Sequence, residues 1–273
     1  MNILFPEGRL LALTLSYDDG VEQDEKLISI LNAHGIRATF NLNSGLFSPE
    51  GTVFPEGQIH RRLTESRVKK LYDTSVHEVA VHCLTHQSLP DLLAPGMIHE
   101  IMEDRLRLEK LFGVMVRGAA YPYGTFNDAA VETLKLCGIQ YCRTVISSHR
   151  FHLPADWLRL EPTCHHDDPH LDQLCTMFLS SYRPSLFYLW GHAYEFEEHN
   201  NWEKIEDFCE RMGGRENIWY CTNIEAHDYI EAYRRLVLSA DGRKVFNPSS
   251  LPVWVQEEKQ VLCVQPGETV SFG

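Results

Sequence analysis

Leu10-Leu11-Ala12-Leu13-Thr14-Leu15-Ser16-Tyr17-Asp18-Asp19-Gly20 begins as an apolar run and closes on two adjacent carboxylates. The run reads as a strand, with the acids at its C-terminal end. A second strand-like run, Glu78-Val79-Ala80-Val81, closes in the same way on His82-Cys83-Leu84-Thr85-His86. One carboxylate of the first cluster and both imidazoles of the second are enough to hold a divalent cation. The other carboxylate is then free to act on water.

Outward from these two runs, short strands alternate with amphipathic segments about seven times. The strand-like runs are Leu10–Tyr17, Arg37–Asn43, Glu78–His82, Val114–Tyr121, Ile139–Val145, Leu158–Thr163, Leu186–Trp190 and Ile218–Thr222. Helical patterns cover Glu22–His34, Thr64–Tyr72, Gly96–Phe112, Asn127–Cys137, Leu171–Ser181, Trp202–Met212 and Ile224–Leu238. Gly35 and Gly138 suit left-handed C-caps, and Asn127 and Asn223 suit N-caps. Such alternation predicts an α/β fold, either a parallel barrel or a doubly wound sheet. Asn43–Arg62, punctuated by Gly and Pro, reads as an irregular loop over the barrel mouth. Residues 1–238 form the expected barrel. Residues 239–273 read as a small β-rich extension packed on it, with a turn at Asp241-Gly242 and strands at Val253–Val255, Gln260–Val264 and Glu268–Phe272.

The chain has 273 residues, 44% hydrophobic and 23% charged, enough for one large core. Its formal net charge of −13 argues against nucleic acid and anionic membrane as partners and favours a neutral or cationic substrate. No apolar run approaches membrane-spanning length. The eight cysteines show no CxxC pairing, and several sit in apolar runs, which favours a reducing compartment. Met1–Gly8 lacks a basic region followed by a long apolar stretch, so the expected location is cytoplasmic. Oligomeric state is left open.

Each cluster has an ordinary reading when taken alone. Asp18-Asp19-Gly20 makes a good turn and helix cap, and two histidines four apart arise by chance in a chain with fourteen. The clusters gain meaning together, because each ends a strand. Tyr121-Pro122-Tyr123-Gly124 ends the fourth run, and His192 follows Leu186–Trp190. In a parallel barrel these ends share one mouth, where chemistry is built.

These residues resemble the polysaccharide deacetylases of the NodB-homology type, carbohydrate esterase family four. Ser16-Tyr17-Asp18-Asp19-Gly20 is similar to the family's Thr-Phe-Asp-Asp-Gly. His82-Cys83-Leu84-Thr85-His86 matches its His-x-x-x-His, and Tyr121-Pro122-Tyr123-Gly124 matches the end of its Arg-x-Pro-Tyr-Gly. The likeness covers about residues 8–235 and implies a distorted or incomplete (β/α) barrel that removes N- or O-acetyl groups from sugars with a divalent metal. By that resemblance Asp19, His82 and His86 hold the metal, zinc first, with cobalt, nickel or manganese as alternatives. Asp18 is the base, the Tyr123 N–H a second oxyanion donor, and His192 in Leu189-Trp190-Gly191-His192 the acid.

Two motifs depart from the family pattern. Its Arg in Arg-x-Pro-Tyr-Gly falls on Ala120, and Arg143, at the end of the next strand, is a candidate replacement. Its Asp-x-x-Asp-Trp is half present as Leu153-Pro154-Ala155-Asp156-Trp157. Asp156 there either tunes His192 or is a plain loop acid, and Trp157 either lines a sugar face or packs. His165-His166-Asp167-Asp168 reads as a rim contact for substrate, a second metal site or a solvated loop. Glu195 reads as a contact for substrate hydroxyl or amine, or as a surface acid; Asn43 and Trp190 are further strand-end candidates.

The expectation is a metal-dependent hydrolase acting on an acetylated sugar, an oligosaccharide or a small amide. Two alternatives stand beside it: a hydrolase of cyclic amides or ureides on the same fold, and a carbohydrate-binding protein without turnover. A dinucleotide binder is disfavoured, since no Gly-x-Gly-x-x-Gly follows the first strand.

Overall fold

In the computed structural model, which describes residues 1–258 and 260–272, the opening run forms β2 (Leu11–Asp18), preceded by a short β1 (Asn2–Leu4). All of β2 is buried, and its two faces do different things. Leu11, Leu13, Leu15 and Tyr17 belong to the main apolar core, each such burial worth about 1.5–3 kcal/mol. The alternate residues are small and, past Ala12, polar. Thr14 Oγ1 donates to Asn223 Oδ1 (2.7 Å), Asn223 Nδ2 donates to Tyr188 Oη (2.6 Å), and Ser16 Oγ lies 2.9 Å from the same hydroxyl. Asp18 is the last member of this second row.

After β2 come α1 (Asp24–Ala33), β3 (Thr39–Leu42), α2 (Glu65–Leu71), β4 (Glu78–Val81), α3 (Ala94–Phe112), β5 (Gly118–Ala120), α4 (Asp128–Leu136) and β6 (Tyr141–Arg143). Then follow β7 (Cys164–His165), α5 (Leu171–Leu179), β8 (Ser185–Gly191), α6 (Ala193–Glu198), α7 (Glu203–Met212), β9 (Ile218–Tyr220) and α8 (Asn223–Arg234). The strands pair in parallel in the order β6-β5-β4-β3-β2-β8-β7, with β9 on the first half of β2. This is a distorted, incomplete (β/α) barrel, open between β6 and β7.

The expected strand Leu158–Thr163 is corrected. Trp157–Arg159 is a 3-10 turn, Leu160 makes a single bridge to Arg143, and the strand proper is only Cys164–His165. Pro162 has no N–H to give a ladder there. The Thr163 N–H still reaches Tyr188 O (2.8 Å), so the segment crosses the open side from β6 to β8.

Gly35 and Gly138 adopt positive φ just past α1 and α4, as helix stops require. Asn127 caps α4 through Ala130 N (2.8 Å). Thr222, not Asn223, caps α8, because the Asn223 side chain is committed to Thr14 and Tyr188. Helix α8 stops at Arg234 rather than Leu238. Helix α6 escaped the sequence pattern, since six residues are too few to show a period.

Past α8 lie β10 (Val237–Leu238), β11 (Lys244–Phe246), β12 (Val253–Glu257), β13 (Gln260–Val264) and β14 (Thr269–Ser271). They form two antiparallel three-stranded sheets, β1-β12-β13 and β10-β11-β14. The Tyr229 hydroxyl ties α8 to both ends of the chain, donating to Leu4 O (2.6 Å) and accepting from Trp254 N (3.0 Å). All eight cysteines are free. Among the described residues no helix is long and apolar enough to cross a membrane.

Candidate active site

The C-terminal ends of β2, β4, β5 and β8 bring Asp18, Asp19, His82, His86, Tyr123 and His192 to one mouth. Of the eight non-glycine residues with positive φ among the described residues, Asp19, Cys83, His86 and Tyr123 lie here. Left-handed backbone costs about 1–3 kcal/mol per such residue and persists where the surroundings fix it, typically at functional sites.

Asp19, His82 and His86 each offer a ligand atom, all within 4.8 Å of one another. The His82 Nδ1–H donates to the Ala120 carbonyl (2.9 Å), which leaves its Nε2 as the lone-pair nitrogen. Burial lowers the His82 pKa against the pull of Asp18 and Asp19. Burial, aided by His82, pushes His86 down to about 4. Both rings are therefore neutral near pH 7, the form that ligates metal. Burial disfavours the charged form of Asp19, but the His60 hydrogen bond and the Arg62 charge outweigh it, holding the carboxyl well below its usual range. Two neutral imidazoles and one carboxylate with their ligand atoms converging suit zinc and its neighbours.

Asp18 stands beside this set with both oxygens fixed. Asn41 Nδ2 donates to Oδ1 (2.7 Å), and Arg143 Nη2 donates to Oδ2. The Arg143 side chain is fully buried, and its guanidinium stacks 4.2 Å over the Trp190 ring. Burial alone would raise the Asp18 pKa; Arg143 first, then His82, His192 and Asn41, bring it below the ordinary value. His82 Nε2 and His192 Nε2 lie 3.7 and 3.8 Å from Oδ2.

A profile of the polysaccharide deacetylase family matches residues 8–142. The chain resembles the polysaccharide deacetylase family over that stretch. The matched stretch holds Asp18, Asp19, His82, His86 and Tyr123; Arg143, His165, His192 and Glu195 lie beyond it. The chitin deacetylase of Pestalotiopsis sp is 25% identical over 121 residues, 44% of this chain and 37% of that protein. This chain thus spans little more than a third of that curated relative. A putative polysaccharide deacetylase from Mycobacterium smegmatis superposes with a TM-score of 0.61 at 15% identity, covering 86% of this chain and 95% of the other. The family 4 carbohydrate esterase from Streptomyces lividans, in complex with acetate, gives 0.51 at 15% identity, covering 77% and 92%. At such identities the structural likeness is one of fold.

Outside the Asp19, His82 and His86 cluster, the chain places the remaining candidates as follows. Tyr123 is 67% exposed at the rim, its ring edge-on to His86 (4.5 Å between centroids). Glu195 lies between His165 (Nε2 to Oε2, 3.1 Å) and His192 (Nδ1 to Oε1, 3.2 Å), with His166 Nε2 3.3 Å away. Trp157 is turned to α8, where its Nε1 donates to Glu231 (2.7 Å) and its ring packs on His227. Asp156 caps the 3-10 turn and pairs with Arg159 (2.7 Å), so it does not tune His192. As a second metal set, His165, His166 and Asp167 do converge. In that set the Asp167 carboxylate pairs with Lys204 (2.5 Å) and His199 (3.1 Å), and His165 Nδ1 accepts the Asp167 N–H (3.2 Å).

Several site residues escaped the sequence reading. Arg62 and His60, from the loop over the mouth, grip the Asp19 carboxylate (2.9 and 3.1 Å). No local pattern announces a contact 43 residues away. Glu100 and Asp104 on α3 hold the histidine loop from behind. Asp104 accepts from Ser44 N (2.7 Å) and His82 N (3.1 Å), and Glu100 accepts from Thr85 N (2.8 Å). These two acids sit four apart within the buried stripe Met97, Ile101 and Leu108, a polar interruption that was readable. Asn43 donates to the carbonyls of His82 and Cys83 (2.8 Å to the latter).

Proposed function

We propose that this chain is a metal-dependent deacetylase that hydrolyses an acetyl group from a sugar or short oligosaccharide. The observation that carries this reading is the meeting of Asp19, His82 and His86 with a second carboxylate, Asp18, that is tied to Arg143 and left out of the ligand set. A divalent cation held by the three ligands supplies Lewis acidity, polarising the acetyl carbonyl and making water more acidic.

The chain's own groups do the rest. Asp18, kept ionised by Arg143, takes the proton of the attacking water. The Tyr123 backbone N–H donates to the carbonyl oxygen as negative charge gathers on it. As the water oxygen bonds to carbon and the C–N or C–O bond breaks, His192 Nε2 returns a proton to the departing amine or alcohol. Burial works against a charged His192, but Glu195 and Asp18 raise its pKa above the ordinary value, so a proton is at hand near neutrality. The exposed Tyr123 ring at the rim offers an apolar face to a sugar.

The test joins metal analysis of the purified protein with acetate release across N-acetyl sugars, O-acetyl sugars and cyclic amides. Asp18→Asn should retain the metal and lose about 10²–10⁴ in turnover. His82→Ala should lose both. Full rate in Asp18→Asn removes the base assignment, and turnover of cyclic amides alone replaces the substrate class.

A further inference from the structure

We infer that His192 is oriented by a carboxylate–imidazole pair, Glu195 and His165, which are positioning residues and do not touch substrate. This rests on the reading of His192 as the acid.

The Glu195 carboxylate is used up by this task. Oε2 accepts the His192 backbone N–H (3.0 Å) and faces His165 Nε2 (3.1 Å); Oε1 faces His192 Nδ1 (3.2 Å). One residue, three positions along a short helix, thus holds the backbone of the histidine that begins that helix and sets a carboxylate oxygen beside its ring. The ring contact is a charge contact without a hydrogen bond's angle, and the carboxylate oxygen 3.2 Å from Nδ1 favours the tautomer with its proton on that side. The proton that reaches a leaving group is then on Nε2, the nitrogen that faces Asp18.

His165 is fixed in the opposite sense. The Asp167 backbone N–H donates to His165 Nδ1 (3.2 Å), so the ring proton sits on Nε2, which lies 3.1 Å from Glu195 Oε2. That tautomer puts the positive N–H edge of His165 beside Glu195 and removes its Nε2 lone pair from any metal. The outer flank is closed by His166, stacked on Tyr17 and Phe196 (ring centroids 5.8 and 4.1 Å). Asp156, the nominal family acid, is spent on Arg159. A carboxylate three residues after the histidine has taken its place, braced from β7.

The test uses Glu195→Gln, His165→Gln, His165→Phe and His192→Ala in the metal-loaded full chain, on an acetamide sugar and on 4-nitrophenyl acetate. The nitrophenolate departs without a proton, so loss of the acid spares the ester. His192→Ala should slow the acetamide by about 10²–10⁴ and the ester little. Glu195→Gln should slow the acetamide by roughly tenfold to a hundredfold in kcat, with KM, metal content and ester rate near wild type. His165→Phe should act in the same direction more weakly, and His165→Gln, which keeps a donor, should recover part of the loss. With 15N-labelled histidine, long-range 15N–1H correlation should show His165 protonated at Nε2 and His192 at Nδ1.

Equal slowing of both substrates, a change confined to KM, or a His165 ring protonated at Nδ1 overturns the inference. If His192→Ala itself spares neither substrate selectively, the acid assignment fails first, and the two failures are told apart.

Discussion

Ala120 and Arg143 are register partners on adjacent parallel strands, and the guanidinium that the family pattern puts at the first position comes from the second. Side chains paired across a parallel register point to one face, so either position can reach Asp18. Arg143→Ala should cut turnover sharply while metal content stays intact. It also strands a buried carboxylate, at a cost of about 3–5 kcal/mol in urea unfolding. Adding Ala120→Arg to that variant should restore part of both. Unchanged turnover in Arg143→Ala would remove its role in orienting the base.

Asp24 carries a pH signature. It is fully buried at the start of α1; Oδ2 accepts from the Tyr72 hydroxyl (2.5 Å) and Val21 N (3.2 Å), and Oδ1 has no partner. Burial pushes its carboxyl up to about 7 despite those two bonds. Unfolded, it ionises near ~4. The native chain therefore keeps a proton that the unfolded chain releases. The stability from that proton is fully present below ~4 and is lost as pH rises through about 7. Asp24→Asn should flatten this fall, whose limiting slope is about 1.4 kcal/mol per pH unit. Urea titrations of both proteins at several pH values from 4.5 to 7.5 read it directly; a pH-independent difference would show that Asp24 does not titrate there.

Gly191, near the end of β8, lies against the His166 ring. A Cβ there would lie 2.0 Å from His166 Nδ1, and His166 is buried against Phe196 with nowhere to turn. Gly191→Ala should destabilise by about 1–3 kcal/mol and lower turnover by shifting the ring that backs Glu195. His166→Ala in the same chain should relieve the clash, making the two changes less than additive. A neutral Gly191→Ala would show the ring free to move.

What the sequence made legible follows physical range. Leu10–Tyr17 betrays its strand because burial of both faces leaves no solvent-side polarity to confuse the pattern, and Asp18 and Asp19 end it visibly. His82 and His86 share one loop, so their spacing is local information. The Arg62 grip on Asp19 depends on which loops become neighbours, and no local period encodes that; Arg143 was legible as a candidate because it ends the strand after Ala120. Glu195 was visible as a residue but not as a partner, because α6 is too short to announce the turn that folds it back on His192. Leu158–Thr163 misled because the alternation Leu158-Arg159-Leu160-Glu161 outweighed Pro162, which breaks the ladder.

Metal binding should register as stability, independent of any substrate. A cation that binds only the folded chain raises the unfolding free energy by about 2.7 kcal/mol at a hundredfold excess over Kd. Zinc added to chelator-stripped protein should therefore raise Tm, and chelator should reverse it. His86→Ala, which removes one of three converging ligands, should abolish most of the shift. His165→Phe should leave it in place, because the His165 Nδ1 lone pair is already taken by the Asp167 backbone N–H. A zinc shift that survives His86→Ala and vanishes in His165→Phe would move the cation to the other group, and the assignment of Asp19, His82 and His86 would go with it.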